Sequence, residues 1–553
     1  MFKKSPNHSQ LDAFTSPETL FSGNTLKMYE DDKAWHNQFR KEVSMRIDEG
    51  VFSPLYSERN GSPNASIRVM VTMMVLKEAE GISDQKLFES CRFNMLTRSA
   101  LGLFNACDSI PTESTYYLFR KRILEYSQET QENLLETVFT QITKGQCTEF
   151  EVSGKRIRMD SKLLGSNIAW LSRYELIHET LRLFYKEIKK SVKKDKEIWD
   201  RLDELMQMEG KKVVYTSSNI EIKSRIEELG ILINTLLPLF KPTKPPHYET
   251  LQRVFDEQYS VDQDKVVLPR NKKEVSAKSV QSPHDTDCHY RNKGDQNVKG
   301  YSFNLTESCD DDNSLNLISQ VTVKKASTSD VDFLQTSISK AQDVFKNKPQ
   351  YAHADGAYHS PDNQKFCEKE KIELYLHAIQ GARSRYEFHY CKKGELSIFD
   401  AKNNMNIEWA KLIGKNEIEK WRIKTENGYR YFTQKDIETS LLRRKIAETP
   451  IETLQKRNNV EATVFQLGFH CSNAKTRYRG EIKQQMWANM RCLWVNFVRI
   501  MKRVGRIVGK SFFCYIFVNK LQHIDGYLLK TKFILVIKTV NRYVNKNIQL
   551  SFS

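Results

Sequence analysis

Polar positions dominate the first 30 residues and no apolar period is sustained there, so residues 1–30 are expected to be a flexible N-terminus. Beyond them, apolar residues recur at helical spacing. Residues 66–80 carry Ile67, Val69, Val71, Met74, Val75 and Leu76. The break at Gly81-Ile82-Ser83-Asp84 then offers Ser83 or Asp84 as the cap of a helix over 85–93. A second turn with capping residues, 108–115, leads into a helix over 116–126. The period shortens at 155–160, a strand with Ile157 and Met159 on one face and a carboxylate, Asp160, at its end. Two long helical stretches, 174–208 and 221–237, read as a hairpin closed by Lys241-Pro242-Thr243-Lys244-Pro245-Pro246. From about 298 the period is two, giving a strand over 298–307, a turn at 310–313 and a partner strand over 315–324. A helix over 329–345 follows, then a strand over 351–355 that ends in a second carboxylate, Asp355. A helix over 361–369 and a strand over 372–376 come next. Strand-like pieces at 386–390, 421–424 and 429–432 lie among polar turns. A last helix begins near 458, with Val460, Val464 and Leu467 on one face and Glu461 beside them.

The order strand, hairpin pair, helix, strand, helix, strand is that of a ribonuclease H-like core. The expected fold class is therefore α/β: a mixed sheet interrupted by a helical insert and a second, β-containing insert, and preceded by an all-α domain. The boundaries that follow are a helical domain over 31–150 and core pieces at 151–170, 282–380 and 455–510. The helical insert is 171–281, the β-rich insert 381–454, and 511–553 is a C-terminal tail to which the pattern assigns no role.

Composition narrows the partners. The chain has 553 residues, with 86 Lys+Arg against 69 Asp+Glu and a formal charge of +17. Over half of that excess lies in 473–510, where Lys475, Arg477, Arg479, Lys483 and six further basic residues face a single acid, Glu481. Trp487, Trp494 and Phe497 are interleaved with them. A basic stripe with aromatics suits a polyanion, because each neutralised phosphate releases counterions. The same aromatics also fit the core stripe of an amphipathic helix. Short helices joined by tight turns over 31–150 suit a helix-turn-helix-like DNA-binding module, and equally any small helical domain. Residues 1–8 hold two lysines and no apolar run, so no secretory signal is expected, and no stretch is long and apolar enough to span a membrane. The ten cysteines form no C-x-x-C, which points to reduced, buried thiols in a cytoplasmic protein.

The chemistry rests on three acids. Asp160 and Asp355 end strands that lie parallel and adjacent in this topology, and Glu461 sits on a helix able to cross those strand ends. Hard divalent cations take oxygen ligands. Two such ions can activate an attacking oxygen and stabilise the leaving oxygen of a phosphodiester. Other signals are weaker. Gly505–Ser511 falls one residue short of a phosphate-binding loop. His353 reads as a packed strand residue, His359 as a polar loop residue, and Asp285, Asp287 and 310–312 as turn residues. Neither H-E-x-x-H nor G-x-S-x-G occurs, so zincin and serine-hydrolase chemistry lack support.

The surrounding blocks allow a family comparison. They run from Gly81-Ile82-Ser83-Asp84-Gln85-Lys86-Leu87-Phe88-Glu89 through Ile110-Pro111-Thr112-Glu113-Ser114-Thr115 to Phe119-Arg120-Lys121-Arg122. Met159-Asp160-Ser161-Lys162 follows, then Ser282-Pro283-His284-Asp285-Thr286-Asp287 with Lys299-Gly300-Tyr301. Ala354-Asp355-Gly356-Ala357-Tyr358-His359-Ser360 comes next, then Arg457-Asn458-Asn459-Val460-Glu461, then Lys475-Thr476-Arg477-Tyr478-Arg479-Gly480. In this order the chain resembles the DDE transposases of bacterial insertion sequences, over roughly 30–510. The resemblance implies that Asp160, Asp355 and Glu461 are the catalytic, metal-binding triad, holding two Mg²⁺ ions for which Mn²⁺ can substitute. Arg457 stands four positions before Glu461, as in the R-x-x-x-E part of a related Y-R-E-K signature. The Tyr position of that signature is Leu454 and its Lys position is Gly468, which leaves Lys475 or His470 for that contact with the DNA end.

The function so implied is metal-dependent phosphodiester hydrolysis followed by strand transfer. The partners are double-stranded DNA, as transposon ends and as target, and a second copy of the chain in the synaptic complex, with no membrane partner. Arg457, Lys475, Arg477, Arg479 and Lys483 would contact the DNA, and the location would be the bacterial cytoplasm, at the nucleoid. Two alternatives stay open: a metal-dependent nuclease without strand transfer, and a catalytically dead copy that only binds DNA.

Overall fold

A strand with an acid at an otherwise apolar position organises the molecule. In the computed structural model the central sheet is mixed. Its order is β4 (His289–Lys293), β5 (Gln296–Ser308), β1 (Arg156–Gly165), β7 (Tyr351–Ala354) and β8 (Glu373–Leu376), with β6 (Ile318–Lys325) also paired to β5. β5 runs antiparallel to β1 and β6, whereas β1, β7 and β8 are mutually parallel. A small hairpin, β2 (Tyr259–Val261) and β3 (Val267–Pro269), lies between the helical stretch and β4. The structure describes residues 1–6, 11–12, 14–189, 196–294, 296–379, 381, 385–390, 396–403, 405–407, 411–415, 418–425, 428–471 and 475–504. The phosphate-loop-like 505–511 and the tail 511–553 lie outside them. The chain forms two compact units, Met1–Arg499 and Ile500–Ser553, and of the second only Ile500–Val504, the end of the helix Glu481–Val504, are described.

The first strand is longer than its pattern suggests. β1 does not end at Asp160 but continues to Gly165, because β5 stays paired along its other edge from Ile157↔Ser308 to Gly165↔Gly300. Only the β7 edge stops early. The last parallel pair is Arg158↔His353, and two positions further on stand Asp160 and Asp355. Asp160 therefore sits where one neighbouring strand leaves the sheet while the other continues.

Alternation along β5 puts Tyr301, Phe303, Leu305 and Glu307 on one face, all buried. Glu307 is directly opposite Arg158, and the Arg158 Nε–Glu307 Oε1 distance is 2.6 Å. Arg499, on the helix Glu481–Val504, donates to the other oxygen at 2.7 Å, and the Thr463 hydroxyl donates to the same oxygen at 2.8 Å. Burial alone would push the Glu307 pKa up. Arg499 and Arg158, helped by the hydrogen bonds of Arg499 and Thr463, outweigh that and hold it below the ordinary carboxylate value. One buried carboxylate thus fastens two strands, the helix Asn458–Leu467 and the C-terminal helix together.

The C-terminal helix also covers a sheet edge. Asn496 exchanges hydrogen bonds with the backbone N–H and C=O of Ile318 at 2.8 and 2.9 Å. Gln485 accepts from the Val323 N–H at 2.7 Å and donates to the Val321 carbonyl at 2.9 Å. Side-chain amides therefore satisfy the free edge of β6, which would otherwise be a template for another strand. The opposite side of the helix meets the helical module of the first 150 residues, where Phe39 packs on Trp494 and Phe497 with ring centroids 5.8 and 4.9 Å apart.

Within that module the caps are local. Ser66 accepts from the Val69 N–H, Ser83 from the Lys86 N–H and Thr112 from the Thr115 N–H, opening the helices Ile67–Glu80, Asp84–Phe93 and Glu113–Thr130. Gly81 closes the first of these at φ +61°, and a Cβ there would fall 2.7 Å from His470. The long helical stretch after β1 is divided into Arg173–Ile188, Lys196–Gln207, Gly210–Thr216 and Asn219–Phe240 around its own apolar core. The described residues between 386 and 433 form two three-stranded sheets, β9 (Tyr386–Tyr390), β10 (Leu396–Asp400) and β11 (Met405–Ile407), and β12 (Lys411–Lys415), β13 (Ile418–Thr425) and β14 (Gly428–Thr433). They share a small core with the helix Gln434–Glu448, which the sequence pattern did not suggest. Among the described residues no helix is long and apolar enough to cross a membrane.

Replacing Glu307 with Gln leaves two guanidinium groups facing a neutral amide, and a broken buried pair costs about 3–5 kcal/mol. Urea denaturation of Glu307→Gln should show that loss in full above about pH 5. A lowered folded pKa means that the carboxylate stabilises the fold above its unfolded value and ceases to do so as pH falls through the folded one. The gap between wild type and variant should therefore narrow below about pH 4.3. An equal gap at pH 7 and pH 3 would contradict this assignment.

Candidate active site

Three acids distant in sequence meet around one cation. Asp160 comes from the middle of β1, on the same face as Arg158 and Leu164. Asp355 follows the last residue of β7 and caps a single 3-10 turn, Gly356–Tyr358, its Oδ1 accepting the Gly356 N–H at 2.7 Å. That turn requires Gly356, because a Cβ there would lie 1.5 Å from the Ala378 carbonyl oxygen. Glu461 is in the first turn of the helix Asn458–Leu467, whose Val460, Val464 and Leu467 are buried.

Arg457 precedes that helix and reaches all three. Its Nη2 is 3.3 Å from Asp160 Oδ1 and 3.7 Å from Asp355 Oδ2, and its Nη1 is 3.3 Å from Glu461 Oε1. The guanidinium is nearly buried, with 10% of the side chain exposed, and Asp160 is deep at 14%. Asp355 and Glu461 open outward at 46% and 62%. The site is thus a cleft with a buried floor and a wet rim. Burial raises the pKa of Asp160; Arg457 opposes that, and the negative charge of Glu461 adds to the rise. Because the carboxylates outnumber the guanidinium that touches them, the site holds a surplus of negative charge.

The donor set, three carboxylates, is of the hard-oxygen kind that Mg²⁺ takes. In the present arrangement the oxygens face Arg457, and among the described residues no group of three or more His, Cys, Asp or Glu side chains stands ready to hold a metal ion.

Several neighbours have structural roles. His353 is buried and stacked on Tyr375 with centroids 5.1 Å apart. Burial, with Arg156 and Arg158 nearby, lowers its pKa to about 3, so it is a neutral packed residue. Asp285 joins two turns, its N–H donating to the Ser282 carbonyl and its carbonyl accepting from the Cys288 N–H, and it is buried, accepting from the Tyr301 hydroxyl at 2.5 Å and from the Ser166 hydroxyl. Asp310, expected in a solvated turn, accepts the Gly154 and Arg156 N–H groups at 2.8 and 2.9 Å and so holds the start of β1.

The basic stripe divides. Lys475 bridges to Gly165 at the end of β1, and its ammonium donates to the Ile168 carbonyl at 3.2 Å. Arg477 donates to the Ile82 carbonyl and Arg479 to that of Asn167; both are exposed, as is Lys483. Arg491 is buried and spent internally on the carbonyls of Leu467, Gln466, Glu78 and Ala79. Trp487, Trp494 and Phe497 are buried as well. The aromatic stripe is therefore the interior of the molecule, not a surface for a polyanion.

Two residues of this constellation were not singled out from sequence as organisers of the acids. Arg457 was read only as a DNA contact. Glu307 was passed over, although its position in phase with Tyr301, Phe303 and Leu305 is the signal of a buried, paired acid.

Residues 28–122, which span most of the N-terminal helical module, match the family described as Transposase domain (DUF772). That match supports a transposase family for this protein. No curated protein and no solved structure matches the chain.

If one guanidinium balances the three acids, removing it should be partly reversible by removing one acid. Arg457→Met should destabilise the fold by roughly 1–3 kcal/mol at neutral pH, and Asp160→Asn in that background should recover part of the loss. Strictly additive losses in a double-mutant cycle would show that the two side chains do not interact.

Proposed function

We propose that this protein is a DDE-type DNA transposase whose sheet is a ribonuclease H-like core and whose catalytic acids are Asp160, Asp355 and Glu461. The observation that carries the reading is the convergence of these acids, from a strand, a turn and a helix, on the single guanidinium of Arg457. The strand order and directions support the core assignment, and the transposase-domain match in the N-terminal module supports the substrate class.

In this reading the three carboxylates hold Mg²⁺, with Mn²⁺ able to substitute. The bound ions would supply Lewis-acid stabilisation of the attacking and leaving oxygens of a phosphodiester. The protein's own part is positional. β1 and β7 fix the two aspartates side by side, and the Glu307 network fixes the helix that carries Glu461. Arg457 neutralises part of the charge, and its guanidinium would give up carboxylate contacts to a cation held there. It then becomes a donor free for a DNA phosphate beside the scissile bond. Lys475, Arg477, Arg479 and Lys483 extend that positive track toward the helical module, so binding of the transposon ends should weaken as salt rises. Hydrolysis would free a 3′-hydroxyl that attacks target DNA in the same cleft, and the cutting of two ends calls for two copies of the chain.

The test is a Mg²⁺-dependent assay on a labelled duplex carrying the sequences that flank the gene. Cleavage at the transposon end with joined products is expected. Several kcal/mol of transition-state stabilisation is at stake, so Asp355→Ala should reduce the rate by roughly a thousandfold or more. Cleavage without joining would leave a nuclease, and specific binding without cleavage would leave a DNA-binding copy.

A further inference from the structure

The second sheet of the inserted β region turns its two faces to different environments. β13 and β14 pair in the register Lys420↔Thr433, Trp421↔Phe432, Arg422↔Tyr431, Ile423↔Arg430 and Lys424↔Tyr429. One set, Trp421, Ile423 and Phe432, packs with Tyr386, Phe388 and Ile437 in the core of the insert. The alternate set is Lys420, Arg422, Lys424, Tyr429, Tyr431 and Thr433. Tyr429 and Tyr431 are each 55% exposed, and Lys420 and Lys424 are exposed beside them. The Arg422 guanidinium lies over the Tyr429 ring, 4.6 Å from its centroid. This set contains three cations, two exposed aromatic rings, one of them covered on one face by Arg422, and no acid.

We propose that this face binds unpaired DNA, with bases stacked on Tyr429 and Tyr431 and phosphates on Lys420, Arg422 and Lys424. Charge selects a polyanion, and the rings select its form. A duplex offers phosphates but keeps its base faces stacked, whereas an unpaired strand offers both. The spacing agrees. Residues two apart on an antiparallel strand stand about 6.8 Å apart, twice the ~3.4 Å thickness of a base, which leaves room for one base between the rings, and a base placed there has left its neighbours' stack. The choice of DNA over RNA rests on the transposase reading; the stacking surface does not. Such a face would hold the single strand exposed when a DNA end is opened for cleavage or joining.

The test measures binding of the full chain in EDTA to a fluorescent oligo-dT, a blunt duplex of the same length and an oligo-U. With no cation present nothing is cleaved, so the result is independent of the catalytic reading, and a failed cleavage assay does not affect it. Tyr429→Ala with Tyr431→Ala should weaken oligo-dT binding roughly ten- to a hundredfold and leave the duplex within about twofold. The Phe pair, which keeps both rings and controls for folding, should bind oligo-dT like the wild type. The proposal is overturned if the Ala pair binds oligo-dT unchanged, if the Phe pair loses as much as the Ala pair, if duplex binding falls in step, or if oligo-U binds and oligo-dT does not.

Discussion

A carboxylate with no exposed surface holds this molecule together. Glu307 accepts from Arg158, Arg499 and Thr463, and these three belong to the central strand, the C-terminal helix and the helix that carries Glu461. Burying a charge is costly unless every lone pair finds a donor, and here the donors come from elements far apart in sequence. The arrangement tolerates little sliding. If the helix Asn458–Leu467 shifted along the sheet by one turn, Thr463 would leave Glu307, and Arg457 and Glu461 would leave Asp160. The geometry of the cleft is thus set from inside the core. The Arg158 guanidinium reinforces the link by donating to the Lys456 carbonyl at 2.9 Å, one residue before Arg457.

The cleft itself has the opposite character. Its acids are more numerous than the cation among them, and two of the three are open to water. Excess negative charge that is fixed by the fold and only partly neutralised attracts divalent cations and then phosphate. The N-terminal module is tied to the same region. Glu78 and Ala79 offer their carbonyls to Arg491, the Tyr478 hydroxyl meets the Glu78 carboxylate, and Gly81 is pressed against His470. A ligand gripped by the module and by Arg477, Arg479 and Lys483 would therefore be held close to the end of β1.

Much of this could be read from the sequence, for identifiable reasons. Alternation revealed the hairpin, because each of its strands has one apolar face, and Ser83 and the polar turn at 108–115 marked helix starts, because capping is local. The length of β1 could not be read in this way. Ser161 and Lys162 break its apolar alternation, and only pairing with β5 carries the strand on to Gly165. The role of the aromatics at 487–497 was ambiguous because a core stripe and a basic stripe share one helix; contact with Phe39 and with the edge of β6 decides it. The link of Arg457 to Glu461, four residues on, is local, but its contacts with Asp160 and Asp355 and those of Glu307 with Arg158, Thr463 and Arg499 join residues 100 to 300 positions apart, so no local pattern could name the partners.

The central claim is that Asp160, Asp355 and Glu461 form a cation site from which Arg457 withdraws. Anomalous diffraction from crystals of the protein soaked in Mn²⁺ tests it most directly. The account predicts Mn²⁺ at about 2.0–2.2 Å from carboxylate oxygens of Asp160 and Asp355, a distance typical of hard-cation coordination, with Arg457 turned away from them. Crystals saturated with Mn²⁺ in which the cleft holds no anomalous peak, and in which Arg457 still contacts all three acids, would contradict it.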